Sequence, residues 1–348
     1  MTRTNHRMHA KRIRSIALTL LLPALLFGNA PGLFAQLLLT NIGFASNATN
    51  LGQANGITVS GQYAYLANGS DGLRIYNISN PANPVSVGHT NNGASAFSVA
   101  ISGNYAYLAN NTDGLRVYDI SNPTNALNIG HTNNGGLANA VVISGHYAYL
   151  ANDTDGLRIY DITNPANPVN IGHAGNSNTT GAFAYGVAVA GTNAYLANSF
   201  DGLSILDVSD PTHPNPIGHI PEPNVYGATA NAVAVSGHYL YVANGNDGLH
   251  VYDIANPSTP TSVFQDADGG YAYGVTVAGN RAYSVEYFFF GYPYGGMRVY
   301  DVSNPAAAFR IGVVSDVDNG SYAEAVALVG NYAFMANHTD GVRIYQIQ

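Results

Sequence analysis

Short apolar runs alternate with polar turns along this chain, and the same order of segments returns seven times. A typical copy has an apolar run that ends in Gly, a Tyr-Ala-Tyr-Leu-Ala-Asn-like run, an Asp-Gly turn, a Leu-Arg-Ile-Tyr-Asp-like run and an Asn-Pro pair. The glycine that closes the first run marks the period at Gly61, Gly103, Gly145, Gly191, Gly237, Gly279 and Gly330. Repeats of about 40 to 50 residues with four short segments are typical of β-propeller blades, whereas helical repeats show 3.6-residue periodicity. We therefore predict an all-β, seven-bladed propeller.

The second copy shows the four strands of a predicted blade. They run from Phe97 to Ser102, from Tyr105 to Asn110, from Leu115 to Ser121 and from Leu127 to His131. Gly103 and Gly114 suit the turns between strands because glycine adopts positive φ without strain. Pro123 ends the third strand because it has no N–H to give to a sheet.

The seventh copy has no fourth strand, since the sequence stops shortly after the run from Val342 to Ile347. Near the other end, the run from Thr40 to Phe44 is similar to the fourth strand predicted from Val169 to His173. We therefore expect the N-terminal strand to complete the last blade. Closing the ring in this way removes open sheet edges.

The recurring Leu-Arg-Ile-Tyr-Asp block resembles the LVIVD-repeat family of bacterial and archaeal secreted or cell-surface β-propellers. Its copies begin at Leu73, Leu115, Leu157, Leu203, Leu249, Met297 and Val342. The second and fourth positions are usually Arg and Tyr here, which departs from the family's pattern. The resemblance covers nearly all of residues 37–348 and implies the fold and an exported location. It implies no particular substrate.

The first 35 residues are predicted to be a signal peptide. Five basic residues between Arg3 and Arg14 precede an apolar stretch from Ile16 to Phe27, and Ala35 offers a small residue for cleavage before Gln36. The apolar stretch is short for a membrane span. The predicted domains are therefore a signal peptide at 1–35 and the propeller at 36–348, with a secreted, periplasmic or cell-surface location.

The predicted mature chain is strongly acidic. Removing residues 1–35 leaves seven Arg and no Lys against 20 Asp and Glu, a net charge of −13. This charge disfavours binding to nucleic acid or to an anionic membrane. The chain has no Cys, which excludes disulfides, thiolate metal ligands and Cys nucleophiles.

One position near the start of each innermost strand is expected to surround the mouth of the central channel. Its occupants are Asn55, Phe97, Asn139, Tyr185, Asn231, Tyr273 and Glu324, and we call these residues the channel ring. Aromatic faces beside amides and a carboxylate suit a small polar ligand. The alternative is that these side chains only plug and solvate the channel.

The turns between second and third strands should share a face with the connections between blades, and we call it the top face. Fourteen of the 20 acidic residues are predicted there: Asp71, Asp113, Asp153, Asp155, Asp201, Glu222, Asp247, Asp266, Asp268, Glu286, Asp316, Asp318, Glu324 and Asp340. Each Asp in an Asp-Gly turn also has an ordinary role in turn formation. Their combined field is expected to make this face negative.

The sixth copy replaces the compact turn with an aromatic insertion from Glu286 to Gly296. Its candidate ligand-binding residues are Tyr287, Phe289, Tyr292 and Tyr294. Exposed aromatic side chains suggest a partner contact, a lid over the channel or self-association. Packing of the insertion against a neighbouring blade is an equally reasonable alternative.

Two acidic loops are calcium candidates. The pairs Asp266 with Asp268, and Asp316 with Asp318, place oxygen ligands in glycine-containing loops, but neither has the complete twelve-residue calcium pattern. A melting temperature that responds to Ca²⁺ would test this interpretation.

The sequence thus favours a non-catalytic binding module without a resident cofactor, with a protein, peptide or glycan as the ligand of the top face. A glycan-acting hydrolase or lyase that uses Glu324 with one of these four Asp residues is the alternative, since such hydrolases use paired carboxylates. A structural role in a surface layer is a third hypothesis.

Overall fold

The propeller is seen in a computed structural model of the chain that describes residues 37–46, 52–91, 93–133, 135–176, 182–222, 227–266, 270–288, 296–315 and 322–348. These residues form seven four-stranded antiparallel sheets, and two short 3₁₀ turns, Pro123–Asn125 and Pro305–Ala307, are the helical segments among them. The predicted fold class is confirmed. None of the described residues belongs to a helix long and apolar enough to cross a bilayer.

Each blade is a simple meander in which successive strands pair. Blade one consists of β2 (Gly56–Ser60), β3 (Tyr63–Ala67), β4 (Leu73–Asn77) and β5 (Val85–Thr90). Blade two consists of β6 (Ser98–Ser102), β7 (Tyr105–Ala109), β8 (Leu115–Asp119) and β9 (Leu127–Thr132). Blade three consists of β10 (Ala140–Ser144), β11 (Tyr147–Ala151), β12 (Leu157–Asp161) and β13 (Val169–Ala174). Blades four and five consist of β14 (Ala182–Ala190), β15 (Asn193–Ser199), β16 (Leu203–Asp207) and β17 (Asn215–Ile220); and β18 (Ala232–Ser236), β19 (Tyr239–Ala243), β20 (Leu249–Asp253) and β21 (Thr261–Asp266). Blade six consists of β22 (Gly270–Ala278), β23 (Arg281–Phe288), β24 (Gly296–Asp301) and β25 (Phe309–Ser315). Blade seven consists of β26 (Ala325–Val329), β27 (Tyr332–Asn337), β28 (Gly341–Ile347) and the N-terminal β1 (Leu39–Ser46).

The first strands line the centre of the ring, where each contacts the first strand of the next blade. The apolar core lies between blades, in seven clusters of buried side chains that each draw on two neighbouring sheets. Between blades one and two, for example, Leu73 and Ile75 pack with Leu108 and Tyr118. Because burying a large apolar side chain contributes about 1.5–3 kcal/mol, these clusters hold the blades face to face.

The Asp-Gly turns require glycine for two reasons. Gly72 has a φ of +84°, and a Cβ at this position would lie 2.2 Å from the carbonyl oxygen of Thr90. The turn backbone therefore packs directly on the end of the fourth strand, at the top face. Any side chain at Gly72 would force the two apart.

Strand β1 closes the ring, as predicted. It pairs with β28 over the register from Leu39 opposite Ile347 to Ser46 opposite Gly341. The fourth strand of every blade has a register shift of one residue, and β1 has the same shift between Asn41 and Gly43. Ile42 packs against the cluster between blades seven and one. The N-terminal strand is thus a true fourth strand.

Blade six differs from its prediction. Glu286, Tyr287 and Phe288 were expected in an exposed insertion, but they continue β23, which pairs with an equally long β22 from Gly270 to Ala278. All three residues pair with β22, opposite Ala272, Tyr271 and Gly270, and Glu286 also pairs with Gly296 of β24. Phe289, Tyr292 and Tyr294 lie outside the described residues.

Deleting residues 37–44 tests the closure. The deletion removes most of β1, exposes the edge of β28 and uncovers apolar surface, so we expect aggregation or a fall in Tm of about 10 °C or more, measured by calorimetry on residues 36–348, the predicted mature chain. Phe44→His is the matched control, because blades one to four have His at this strand position. A deletion variant that melts with the mature chain would show that closure adds nothing.

Candidate functional site

The top-face turns are held by clusters of polar side chains from three strands. In blade one, the Asn68 amide donates to the Asp71 carboxylate at 2.8 Å, the Arg74 guanidinium donates to the same carboxylate, and His89 Nε2 lies 3.1 Å from its other oxygen. Asp71 is only 3% exposed. Burial alone would raise the pKa of Asp71, but the hydrogen bonds from Arg74 and Asn68 outweigh it and lower the pKa.

The same cluster recurs around the ring with substitutions. Its members are Asn110, Asp113, Arg116 and His131 in blade two; Asn152, Asp155, Arg158 and His173 in blade three; Asn198, Asp201, Ser204 and His219 in blade four; Asn244, Asp247, His250 and Gln265 in blade five; and Asn337, Asp340, Arg343 and Phe44 in blade seven. Sequence analysis missed these clusters. The signal that reveals them is a His 18 residues after the Asp of each early Asp-Gly turn.

These ion pairs weaken the predicted negative field of the top face. Four turn aspartates, Asp71, Asp113, Asp155 and Asp340, each pair with an Arg three residues later. Glu286 is fully buried and pairs with Arg298 across blade six, and burial raises its pKa against the opposing effect of Arg298. Five of the predicted top-face acids therefore have an Arg partner, and Asp201 and Asp247 have a His partner.

The turns also join neighbouring blades. The residue after the cluster Asn is in the left-handed region, as at Asn111 with φ 48° and Asp153 with φ 56°. It forms a two-way backbone bridge to the next blade, for example Gly69 with Ala96 and Asn111 with Ala138. Each bridge lies directly before the channel-ring residue of the receiving blade, so the turns position the ring.

All seven channel-ring residues line one central cavity of about 550 Å³. Five of them donate a backbone N–H to the carbonyl of an Ala at or near the end of the second strand of the same blade. The pairs are Asn55 with Ala67, Phe97 with Ala109, Asn139 with Ala151, Asn231 with Ala243 and Glu324 with Ala336. The other lining residues come from the beginnings of the first strands, next to the top face. The structure thus brings the seven residues together as predicted; their ligand-binding role stays a prediction.

The channel ring alternates between amide and aromatic side chains. The side-chain amide of Asn55 donates to the Ala96 carbonyl at 2.9 Å, Asn139 to Ala184 at 2.9 Å, and Asn231 to Ala272 at 2.8 Å. Each acceptor residue directly precedes an aromatic member of the channel ring in the next blade: Phe97, Tyr185 or Tyr273. The amides therefore tie blades in pairs and hold the aromatic residues in register.

Irregular sheet pairing directs two of these aromatic residues into the cavity. The register of β22 with β23 shifts between Ala272 and Gly274, which leaves Tyr273 as the extra residue of a bulge. Tyr185 lies within a similar shift between Ala182 and Gly186. Bulges re-aim side chains at functional sites. Tyr185 remains 40% exposed.

Glu324 breaks the alternation and carries charge into the cavity. Among the described residues that line it, Glu324 is the one carboxylate, and no basic side chain is present. Burial raises the pKa of Glu324 to about 7. A Cβ at Gly274 would lie 2.6 Å from the Glu324 carbonyl oxygen, so the glycine lets this residue pack beside Tyr273.

A cluster of aromatic side chains from blades six and seven lies near Glu324. The rings of Tyr271 and Tyr273 lie 4.8 Å apart, Tyr273 and Tyr322 5.7 Å, and Tyr322 and His338 4.3 Å. Tyr287 is the one candidate ligand-binding residue of the aromatic insertion that the structure describes, and it contacts Tyr322 edge to face at 5.6 Å. Tyr287 therefore supports the cavity wall from behind.

The calcium and hydrolase hypotheses gain no support from Asp266. It ends the outer strand β21, where it acts on Tyr300 and Glu286, and it does not line the cavity with Glu324. Asp268, Asp316 and Asp318 lie outside the described residues. Among the residues that are described, no three metal-ligating side chains form a group. Calcium binding stays a prediction.

The raised pKa of Glu324 predicts how a substitution changes stability with pH. Because the folded state holds this proton up to about pH 7, above the ordinary value of 4.5, the stability linked to it is present below about 4.5 and is lost as pH rises through about 7. We expect Glu324→Gln to raise Tm relative to the unsubstituted chain at about pH 8 and to change it little at about pH 4. A Tm difference that is independent of pH would contradict the assignment.

Sequence comparison identifies the repeat. The LVIVD repeat matches residues 51–92, 93–133, 135–174, 181–220, 227–266 and 320–344, which together exceed half of the chain. All four strands of blade six lie in the gap between the last two matches. No curated protein matches the sequence.

Solved structures of similar shape include a chain of the mitotic checkpoint complex, with a TM-score of 0.67, 13% identity and coverage of 93% of this chain and 100% of that chain. Chaetomium thermophilum Raptor has a TM-score of 0.66 and 12% sequence identity, and the match covers 90% of this chain and 30% of that one. The computationally designed Ika8 protein has a TM-score of 0.61 and 7% sequence identity, and the match covers 88% of this chain and 99% of that one. At these identities the likeness shows the fold alone, whereas the repeat matches show the family: the chain belongs to the LVIVD repeat family.

Proposed function

We propose that this protein is an exported, non-catalytic binding module whose ligand enters the central cavity from the top face. The observation that carries the proposal is the convergence of all seven channel-ring residues on one cavity of about 550 Å³. Pockets of roughly 300–1,000 Å³ are typical of small-ligand sites. The cavity therefore suits a small molecule, a sugar unit or one side chain of a peptide.

The chemistry of the ring supports binding better than plugging. A plug needs only side chains that fill space, yet Tyr185 is substantially exposed and two of the aromatic residues depend on sheet irregularities for their position. Aromatic faces next to amide groups provide stacking and hydrogen bonding in one site. These are the contacts that orient a polar ligand.

Export rests on the signal-peptide prediction. The described part of β1 begins at Leu39, and the Leu37 N–H donates to the Ile311 carbonyl at 2.8 Å. Cleavage after Ala35 would therefore leave the closing strand intact. When the full-length chain is expressed in a bacterium, we expect mass spectrometry of the secreted or periplasmic fraction to find Gln36 as the first residue. Full-length protein confined to the cytoplasm would contradict export.

Binding to the cavity can be tested with substitutions that the repeat itself supplies. Tyr185→Asn with Tyr273→Asn should fold, because blades one, three and five have Asn at this position. We expect this double variant to lose at least about tenfold in affinity for any ligand that the mature protein retains from a glycan and peptide array.

The matched control is Phe200→Thr. Phe200 is 59% exposed on a top-face turn outside the cavity, and blades two, three and seven have Thr at its position. It should leave the retained ligand bound. If the double variant binds as tightly as the mature chain, or if Phe200→Thr abolishes binding, the cavity is not the site.

A further inference from the structure

We propose that the cavity recognises the ammonium group of a small organic cation, which Glu324 pairs with while Tyr271 and Tyr273 face it. This inference rests on the proposed function and names the chemical class of its ligand. The three residues lie on the neighbouring blades six and seven and line the same cavity.

The described lining of the cavity has an unbalanced charge. The described lining of the cavity contains the Glu324 carboxylate and no basic side chain. Five of the seven Arg residues of the predicted mature chain form ion pairs elsewhere, at Asp71, Asp113, Asp155, Glu286 and Asp340. An enclosed carboxylate without a cation is costly, and its raised pKa reflects that cost. A cationic ligand would supply the missing partner.

The cavity wall next to Glu324 is aromatic. Tyr271 and Tyr273 line the cavity, and Tyr322 stacks behind Tyr273 with an interplanar angle of 24°. The electron-rich face of a tyrosine attracts a cation, by about 0.5–2 kcal/mol per contact. The Tyr271 hydroxyl is already bonded to Thr229 at 2.7 Å, which holds this ring in place. A carboxylate beside fixed aromatic faces selects an ammonium group over a neutral one.

The fold does not require a charge at the Glu324 position. Blades one, three and five have Asn at the Glu324 position, and blades two, four and six have an aromatic residue. Both kinds support the same strand geometry. The carboxylate of blade seven is therefore a departure with an energetic cost and no structural task in the repeat. Such a group is a candidate for ligand recognition.

The other polar groups of the ring do not replace the cation. The amides of Asn55, Asn139 and Asn231 each donate to a backbone carbonyl of the following blade. They are uncharged and committed to inter-blade contacts. A methylated ammonium group needs no hydrogen-bond acceptor and presents its positive charge through its methyl groups, which suits the aromatic faces of Tyr271 and Tyr273 and makes it the probe of choice.

Calorimetric titration with choline tests the proposal on the mature protein at about pH 8, where Glu324 is ionised. The comparison ligand is the uncharged isostere of choline, in which a quaternary carbon replaces nitrogen. We expect choline to bind and the isostere to bind at least about tenfold more weakly. Equal affinities, or no heat from choline at concentrations up to about 50 mM, would overturn the proposal.

Variants separate the site from general charge effects. Glu324→Gln and Tyr273→Asn should each weaken choline binding about tenfold or more. Asp253→Asn is the matched control, since it removes one negative charge at a partly exposed position that does not line the cavity, and blade one has Asn77 there making the same capping hydrogen bond. Choline binding that survives Glu324→Gln, or that falls equally in Asp253→Asn, would overturn the assignment.

The outcome also distinguishes this inference from the proposed function. If an array ligand is lost from the Tyr185 and Tyr273 double variant but choline neither binds nor competes with it, the cavity is a binding site and the ammonium assignment is wrong. If choline binds and also displaces the array ligand, both the proposed function and the ammonium assignment are supported. If the array ligand binds the double variant normally, the proposed function fails whatever choline does.

Discussion

Every blade depends on a neighbour on each side, because its sheet has apolar side chains on both faces. The seven buried clusters all lie between blades, so an open row of blades would leave two apolar faces exposed to water. Closure by β1 satisfies this constraint, since it supplies the fourth strand of blade seven and adds Ile42 and Ala45 to the cluster with blade one. The central cavity exists only because the ring is closed.

The repeated turns on the top face support the cavity, because they position the channel-ring residues. A buried Asp in the turn gathers an Asn, usually an Arg and often a His from neighbouring strands. The left-handed residue of the same turn bridges to the next blade immediately before its channel-ring residue. The inner ends of the blades are thus fixed by backbone geometry, which leaves the channel-ring side chains free to vary in chemistry. Variation at this position, from Asn to Tyr to Glu, is where binding specificity can arise.

Much of the fold followed from the sequence because its determinants are local. The period, the glycine turns and the likeness of Thr40–Phe44 to a fourth strand all lie in short segments, and the convergence of the channel ring follows from seven equivalent positions around one axis. The polar clusters were missed because they join a turn and the strand after it to a strand farther along the chain, as Asp71 and Arg74 are joined to His89. The burial of Glu286 was also missed, since nothing in its own segment shows that β22 is long enough to pair with it. The bulge at Tyr273 likewise depends on a register that only the paired strands define.

The central claim is that the cavity beside Glu324 holds the ligand, and the most direct measurement is a crystal structure of the mature protein grown with choline. The account predicts an ordered cation inside the channel ring, with its nitrogen facing the Glu324 carboxylate and its methyl groups against Tyr271 and Tyr273. A cation bound at the outer surface, with the channel ring unchanged and Glu324 making no contact to it, would contradict the account.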